Sequence, residues 1–531
     1  MKQRKTQTPE FWQEQFQINP NDVEVISNQI IDESRIFSLD EIAFSIAQQT
    51  CEDEERRMIE LQDGRLYQPK EHYEVDEKVF FPQLDFAVGT VNQVRGGNHP
   101  NYDQFSVIGV TFKTGGRTRE FVADFDYDHN LNSHHEGLAD IQGFLTPEEV
   151  YQTYQTTIQN KVKATFDNHE DFIGFQDRYF LKDLLPEFQE GLFNIADAAI
   201  DIHSKPLTID TLVAEIGLLD DGQATDINRF MINCQLAADA RFTDVGPTGQ
   251  VLWYLTRLQP DNLGVTPPWL ASDSAEDYDV SILDEELQEI LADIDDELVH
   301  PDDMPTVDED VKEVTIGLVY PHWRAGSLPV TTKTRSFFPQ SSYNPVLVEF
   351  IDGRSGDSFS GWVVQQENYV LGLEEWYKKY SLPVGTFITL KKSTDDPTKI
   401  VIDYQPVRSQ RDWVRQTTIS NNKLRFKMNT GAIGCKYDEL MMIGLDNSSK
   451  VDALWNKAQE RNLSVYDALC DMILELSKLS PQSTVHIKTL YTAVNILRRA
   501  SPGLIFQELV NNPEFVGMKH GYWSYGSSDK K

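Results

Sequence analysis

Two distant stretches of the chain share one spacing of leucine, phenylalanine, glycine and tryptophan, and this repeat restricts the possible folds more than any other feature. LAADARFTDVGPTGQVLWYL begins at Leu236, and LVNNPEFVGMKHGYWSY begins at Leu509. In each stretch a Leu stands six residues before a Phe, and two glycines and a Trp follow the Phe. This order is typical of a helix, a turn and an aromatic strand, because glycine adopts positive φ and Trp closes a small core. The pattern therefore predicts two similar modules.

The repeated pattern resembles the HARE-type helix-turn-helix, a winged-helix family found in the RNA polymerase delta subunit, chromatin regulators and some restriction systems. Helix pairs are predicted upstream of both copies. Members of this family bind DNA, polymerase or other proteins, so the resemblance implies a fold more than a function. The residues that carry it are Leu212, Leu236, Asp239, Arg241, Phe242, Val245, Gly246 and Trp253 in the first copy, and Leu490, Ile505, Leu509, Phe515, Gly517 and Trp523 in the second.

A degenerate third copy is predicted at residues 38–68. Ser38 and Glu41 have the spacing of a capping box, and apolar residues follow at helical intervals. The segment MIELQDGRLYQP comes next, and its Asp-Gly turn predicts a short hairpin that ends in GRLY, Gly64 to Tyr67. This copy lacks the Arg-Phe element and the Trp of the other two.

A length of 531 residues allows several domains at about 100 to 200 residues each, and 40% hydrophobic residues indicate a globular chain. We expect a multi-domain α+β fold in which winged-helix modules alternate with small β-barrel domains. The predicted domains are a helical region with the degenerate winged helix at 1–72, a small β-barrel at 73–130, a helical region with a winged helix at 146–260, an acidic linker with an amphipathic helix at 261–312, a β-barrel or pseudobarrel with a basic run at 313–430, and a helical region with a winged helix at 431–531.

The second β-rich region contains GLEEWYKKYSLPVGTFITLK, in which Gly372, Trp376, Leu382 and Gly385 precede a strand at residues 386–390. This helix-to-strand corner is similar to that of the pseudobarrel DNA-recognition domains of plant transcription factors and certain restriction enzymes. The resemblance implies that strands and loops enter the major groove. A generic barrel with a helix across one end is the alternative.

Charge is distributed very unevenly along the chain. The formal net charge is −36, and residues 258–311 alone hold 18 Asp or Glu and no Lys or Arg. Residues 312–531 hold 27 basic and 22 acidic side chains. A global charge of this sign argues against nucleic-acid binding, whereas the C-terminal part by itself does not.

The acidic segment contains one predicted amphipathic helix, SILDEELQEILADIDDEL. Its apolar stripe either packs on a neighbouring domain of the same chain, or binds a basic partner, or occupies the protein's own basic face. The predicted partner-binding residues are Leu283, Leu287, Ile290, Leu291, Ile294 and Leu298.

Residues 391–427 carry nine Lys or Arg against four Asp, with Tyr404, Trp413 and Phe426 interleaved. Cations suit phosphate contacts and aromatic rings suit base stacking, although a solvated strand face with core aromatics gives the same pattern. The predicted phosphate-contacting residues, including two arginines farther along the chain, are Arg408, Arg411, Arg415, Lys423, Arg425, Lys427, Arg498 and Arg499.

No sequence motif points to catalysis. The four cysteines lie far apart, no phosphate-binding loop, dinucleotide fingerprint or nucleophile elbow is present, and no cofactor is expected. The cluster ADFDYDHNLNSHHEG lacks the spacing of a histidine metal motif, so we predict no metal site and a non-catalytic protein. A metal-dependent nuclease remains an alternative.

These observations together predict a cytoplasmic, transcription-associated regulator that binds nucleic acid, DNA in preference to RNA, through its basic C-terminal half. No secretory signal or apolar membrane span is expected. Two alternatives stay open: a scaffold that docks on RNA polymerase or another partner, and a DNA-targeting component of a defence or restriction system.

Overall fold

The computed structural model describes the chain apart from residues 1–3, 61–64, 82–83, 85–86, 101, 103–104, 113–117, 128, 130–144, 187, 220–223, 262, 273–277, 305–310, 342–344, 394–395, 397 and 527–531. The chain divides into two compact units. The first comprises residues 1–193 and 213–238, and the second comprises residues 194–212 and 239–531. Within the described residues, no helix is both long enough and apolar enough to cross a membrane.

The first unit has a helical part and a sheet part. In chain order its elements are α1 (Pro20–Glu33), β1 (Phe37–Ser38), α2 (Leu39–Glu60), β2 (Arg65–Leu66), β3 (Lys78–Phe81), β4 (Ala87–Gly96), β5 (Ser106–Phe112), β6 (Thr118–Ala123), α3 (Pro147–Phe166), β7 (Phe172–Phe175) and β8 (Arg178–Leu181). Next comes α4 (Gly191–His203), which begins in the first unit and continues into the second. β9 (Leu207–Thr208) belongs to the second unit, α5 (Ile209–Ile216) returns to the first, and α6 (Asp226–Ala238) lies in the first.

Two helices in the helical part of the first unit have capped N-termini. Asn19 and Asp22 form a capping box at the start of α1, and Thr146 and Glu149 form another at the start of α3. The apolar faces of α1, α2 and α3 bury one core, to which Phe230 of α6 contributes. The sheet part holds β2 to β6 in sequential order, and backbone bonds from Phe125 N to Pro69 O and from Asp124 N to Glu71 O join its two ends.

The second unit contains most of the remaining chain. Its elements are β10 (Phe242–Asp244), β11 (Leu252–Leu255), α7 (Glu285–Ile294), β12 (Glu313–Gly317), α8 (Tyr320–Ala325), β13 (Ser327–Pro329), β14 (Val346–Asp352), β15 (Ser358–Val364), β16 (Tyr369–Leu371), α9 (Glu374–Tyr380), β17 (Phe387–Lys392), β18 (Lys399–Tyr404), β19 (Pro406–Ser420), β20 (Lys423–Cys435), β21 (Ile443–Gly444), α10 (Ser448–Glu460), α11 (Val465–Leu476), β22 (Val485–His486), α12 (Ile487–Asn495), α13 (Pro502–Asn511), β23 (Phe515–Gly517) and β24 (Tyr522–Tyr525).

A seven-stranded sheet forms the first core of the second unit, with strand order β12-β17-β18-β14-β15-β16-β13. All neighbouring strands are antiparallel except β14 and β18, which are parallel. Two short helices, α8 and α9, interrupt the strand sequence. Trp376 of α9 and Leu382 are buried in the sheet's core, while Gly372 and Gly385 adopt positive φ at the two ends of this corner.

One order of elements occurs three times: a helix, a two-residue strand, two helices and a hairpin. The two-residue strand always pairs with the last hairpin strand, and the paired residues are buried. These pairs are Phe37 with Tyr179, Leu207 with Trp253, and Val485 with Trp523. The first copy consists of α1, β1, α2, α3, β7 and β8, the second of α4, β9, α5, α6, β10 and β11, and the third of α11, β22, α12, α13, β23 and β24.

The predicted boundaries of the degenerate copy at 38–68 are wrong in their second half. Helix α2 continues to Glu60, and Arg65–Leu66 pairs in parallel with β3 in the five-stranded sheet, so the described residues on either side of the predicted Asp-Gly turn do not form a hairpin. The turn itself lies outside the described residues. The hairpin of this copy lies instead at Phe172–Leu181. In this copy the five-stranded sheet lies between α2 and α3 in the chain. The residues of the repeat are therefore not contiguous in the sequence, and the pattern that identifies the other two copies does not appear here. The predicted α+β, multi-domain class is confirmed.

Candidate nucleic-acid interface

The part of the basic run from Arg408 to Lys427 lies on a long two-stranded ribbon, β19 and β20, with 15 and 13 residues, whereas Lys391, Lys392 and Lys399 lie on β17 and β18. Asn421 and Asn422 connect the strands and both have positive φ, at 51° and 59°. Two consecutive left-handed residues match the twist of a tight hairpin, and asparagine tolerates this conformation better than most residues. The chain therefore turns at this point and returns along the same ribbon.

The ribbon strands carry six cations and one acid. The cations are the first six of the eight predicted phosphate-contacting residues, Arg408 to Lys427, and the acid is Asp412. The ribbon is thus strongly basic within a chain whose net charge is −36. The structure brings these six residues together on one element.

Each face of the ribbon is buried along one part and open along another. Near the turn, Leu424 and Phe426 pack into the C-terminal helical core. On the opposite face and farther from the turn, Val414 and Ile433 pack into the core of the seven-stranded sheet. Because side chains alternate between faces, the stretch around Trp413 on the first face stays uncovered. The ribbon is therefore anchored while one basic stretch remains open to solvent.

The open stretch consists of the exposed Arg411 and Trp413 on β19, with Met428 and Thr430 opposite on β20, and the half-buried Arg415 borders it. Trp413 is 69% exposed, and the other eight tryptophans of the chain are all buried or half-buried. Among the described residues, no aromatic ring and no guanidinium stacks on Trp413. We call these five residues the indole face. The spacing Arg-x-Trp-x-Arg, with the period of a strand, predicts from sequence that these three side chains share one face, but it does not predict that the face is exposed.

The cations of the ribbon differ in their availability. Arg408, Arg411 and Lys427 are exposed and have no ion-pair partner among the described residues. Arg415 donates from Nη1 to the carbonyl of Glu439 at 2.8 Å, and burial lowers the pKa of this guanidinium. Near the turn, Lys423 pairs with Asp471 at 3.4 Å and Arg425 pairs with Glu475. The free cations and Arg415 are therefore the strongest candidates for phosphate contact.

The prediction that Arg499 contacts phosphate is wrong. Arg499 is 3% exposed, and its Nη2 lies 2.6 Å from Asp296 Oδ1 and 2.7 Å from Glu297 Oε1. A buried arginine needs such partners, because an unpaired charge in the interior costs several kcal/mol. Arg498 is half-buried and donates to the carbonyl of Leu463, so this side chain is also engaged within the protein.

The acidic segment docks on the protein's own C-terminal helices. Leu283, Leu287, Leu291 and Ile294 are buried in the same core as α11, α12 and α13, and Ile290 packs against this core. Leu298 is half-buried beside it along the chain. The prediction that these six residues bind a partner is therefore wrong for the described conformation. Five of their apolar side chains pack against the protein's own C-terminal core instead.

Ionic contacts complete this docking. Beyond Arg499, Lys488 of α12 pairs with Asp293 of the acidic segment and with Asp438, the latter at 2.7 Å. The hydroxyl of Tyr491 donates to Asp296. The segment thus supplies carboxylates to buried cations of the C-terminal helices, and its apolar stripe packs on a neighbouring part of the same chain, which is the first of the alternatives predicted for it.

One buried chain of hydrogen bonds has the residue types of a hydrolase triad. Ser327 Oγ lies 2.8 Å from His322 Nδ1, and Glu297 Oε2 lies 2.6 Å from His322 Nε2. Ser327 and His322 are fully buried, so the hydroxyl is closed to a substrate in this conformation. The Arg499 guanidinium and His322 hold the pKa of Glu297 far below its usual range, against the effect of burial. We interpret this cluster as structural.

Within the described residues, no group of three or more His, Cys, Asp or Glu side chains could hold a metal ion. Four candidate ligands of the polar histidine cluster, Asp128, His134, His135 and Glu136, lie outside the described residues. No protein family, curated protein or solved structure matches the chain.

Proposed function

We propose that the protein is a non-catalytic nucleic-acid-binding regulator whose binding surface is the ribbon β19–β20. The observation that carries this proposal is a strand pair with six cations and one acid that exposes an unstacked tryptophan between two arginines. Phosphate oxygens supply the complementary charge, and a surface of this composition binds them with strong salt dependence.

The repeated modules take a different role in this proposal. Their element order and the buried Phe37–Tyr179, Leu207–Trp253 and Val485–Trp523 pairs support the winged-helix resemblance. The third helix of such a module is the one that reads DNA in helix-turn-helix proteins. Here α13 has no Lys or Arg, and Arg229, the cation of α6, pairs with Asp226 at 2.9 Å. The two cations of α3 are also engaged within the protein, because Lys161 donates to the carbonyl of Phe16 at 2.9 Å and Lys163 pairs with Asp177. We therefore assign these modules to architecture rather than to phosphate contact.

The seven-stranded sheet with its two short helices supports the pseudobarrel resemblance. Trp376, Leu382, Gly372 and Gly385 occupy the helix-to-strand corner where the resemblance places them. The ribbon follows the last strand of this sheet after a single residue, Gln405. In the proposal, the sheet is the rigid support from which the ribbon extends to nucleic acid.

Fluorescence anisotropy with labelled DNA and RNA tests the proposal on the full chain. We expect affinity to fall steeply between about 50 and 200 mM salt. Replacing Arg408, Arg411 and Lys427 by Gln should weaken binding about 10-fold or more and flatten the salt dependence. Replacing three exposed cations outside the ribbon, Arg335, Lys450 and Arg461, is the matched control and should leave the binding within about twofold.

The proposal fails if the full chain binds none of the oligonucleotides at about 50 mM salt, where electrostatic contacts are strongest. It also fails if the ribbon variant and the control variant bind equally well, because the contact would then lie elsewhere. Binding to purified RNA polymerase that survives nuclease treatment and the ribbon variant would favour the scaffold alternative.

A further inference from the structure

The exposed indole of Trp413 distinguishes between two forms of nucleic acid. In a duplex, the faces of the bases are covered by their neighbours in the stack, and side chains reach only base edges and phosphates. In a single strand every base presents a free π-face, and stacking on an aromatic side chain stabilises the complex by about 1–3 kcal/mol per base. A large, uncovered aromatic ring on a flat strand face therefore suits a single strand.

The neighbours of Trp413 suit the same ligand. Arg411 and Arg415 stand two residues to either side on the same face, about 7 Å away along the strand. Across the ribbon, Thr430 is opposite Trp413 and Met428, which is 40% exposed, is opposite Arg415. The acid of the ribbon, Asp412, points to the other face by strand alternation. A base on the indole would thus have a cation on each side for its flanking phosphates.

The two arginines are held to different degrees. Arg415 is fixed by its bond to the carbonyl of Glu439, whereas Arg411 is exposed and has no partner within the described part of the chain. A fixed cation positions the backbone of a ligand, and a free one can adapt to it. This combination favours a flexible strand over a rigid helix of fixed groove width.

We propose that the indole face takes single-stranded nucleic acid, with one base stacked on Trp413 and the adjacent phosphates at Arg411 and Arg415. This inference rests on the proposed function and narrows its ligand. DNA and RNA single strands share the chemistry, and the experiment below separates them.

The test uses the full chain and labelled oligonucleotides of about 12 nucleotides, as single-stranded DNA, single-stranded RNA and the matched DNA duplex. We expect Trp413→Ala to weaken binding of the preferred single strand about 5- to 150-fold, as the loss of one stacked base requires. Duplex affinity should change less than about twofold. Trp413→Phe should restore most of the affinity, because a phenyl ring still stacks.

Tryptophan fluorescence gives a second, site-specific readout. Because the other eight indoles are at least half-buried, quenching on addition of single-stranded oligonucleotide should come mainly from Trp413. Trp413→Phe should retain binding and lose this quenching. Thermal unfolding of both variants should match the wild type, since Trp413 contributes little to a core.

The outcomes separate the two proposals. If duplex is bound with salt sensitivity through the ribbon cations and Trp413→Ala changes no affinity, the single-strand inference is wrong and the proposed function stands. If no nucleic acid binds at all, both are wrong. A preference for duplex over both single strands by about 10-fold would also overturn the inference.

Discussion

At the scale of single residues, buried charge decides how firmly the acidic segment is held. Asp296 accepts from Arg499 and Tyr491, and Glu297 accepts from Arg499 and His322. Asp295, their neighbour, is 1% exposed, has φ of 55°, and one of its carboxylate oxygens accepts no hydrogen bond. It also ends α7, where the helix dipole disfavours an acid. The ionised form of Asp295 therefore destabilises the folded protein.

Replacing Asp295 by Asn should stabilise the protein at neutral and alkaline pH. Burial raises the pKa of this carboxyl to about 6, above the value of 3.8 for an exposed aspartate. The folded state thus holds the proton more tightly, so the free energy of unfolding of the wild type rises as pH falls from about 6 to about 4. We expect Asp295→Asn to add about 1–3 kcal/mol at pH 8.

Denaturant unfolding at pH 8 and at pH 4 measures this difference, and the gain should shrink at the lower pH. Asp296→Asn is the matched control of opposite sign, because it leaves Arg499 short of a buried partner and should cost about 3–5 kcal/mol. A loss of stability on Asp295→Asn at pH 8 would show that the carboxylate makes a favourable contact.

The sequence predicts the residues of the two clear repeats, but it does not predict the burial of Arg499 or the exposure of Trp413. The glycines and the Trp of the two clear repeats identify a module because all their constraints lie within one short stretch. Arg499 could not be assigned, because its burial depends on Asp296, about 200 residues earlier in the chain. The sequence places Trp413 among basic residues, yet its exposure depends on which part of the ribbon each core covers, and residue spacing does not show this.

At the scale of elements, α7 is part of the C-terminal core rather than a segment of a loose linker. Leu287 and Leu291 are 6% and 0% exposed. Asp284 caps the helix by accepting from the amide of Leu287 at 2.9 Å, so the helix begins at a defined residue. Removing this segment would therefore expose the core of the C-terminal helices.

We expect Leu291→Ala to lower the free energy of unfolding by about 2–5 kcal/mol, through lost burial and a cavity. Glu289→Ala, an exposed position on the same helix, should change it by less than about 0.5 kcal/mol. Urea denaturation followed by circular dichroism measures both. Equal effects of the two substitutions would mean that α7 is not docked in solution.

The hairpin of the first repeat could not be predicted from sequence. Its strand pairing equals that of the other copies, and Phe172 occupies the hairpin position that Phe242 and Phe515 occupy. Tyr179 replaces the Trp, and the five-stranded sheet separates the helices. A pattern search over contiguous residues cannot bridge such an insertion, whereas strand register identifies it directly.

At the scale of the whole molecule, the charge is segregated within the second unit. The ribbon is basic, and α7 exposes acids on the side opposite its buried stripe. A chain of contacts joins helix α7 to the ribbon. Lys488 pairs with Asp293 of α7 and with Asp438. Glu439, which follows Asp438, accepts a hydrogen bond from Arg415 of the ribbon. Carboxylates near a phosphate-binding face reduce its affinity at low salt.

Neutralising two exposed acids of α7, Glu285 and Glu289, to Gln should raise nucleic-acid affinity about two- to tenfold at about 50 mM salt. The gain should vanish at about 0.5 M salt, where such charges are screened. Glu367→Gln with Glu460→Gln removes the same charge elsewhere in this unit and should have less effect. Equal gains from both pairs would assign the change to net charge alone.

Photo-crosslinking locates bound nucleic acid on the protein and so determines whether it lies on the ribbon. A single-stranded oligonucleotide that carries photoreactive bases is irradiated with the full-length protein, and the crosslinked peptides are identified by mass spectrometry. We expect crosslinks within Pro406–Cys435, centred on Trp413, and their loss when Arg408, Arg411 and Lys427 are replaced by Gln. Crosslinks confined to the helices of the repeated modules, with none on the ribbon, would contradict the proposal that nucleic acid lies on the ribbon.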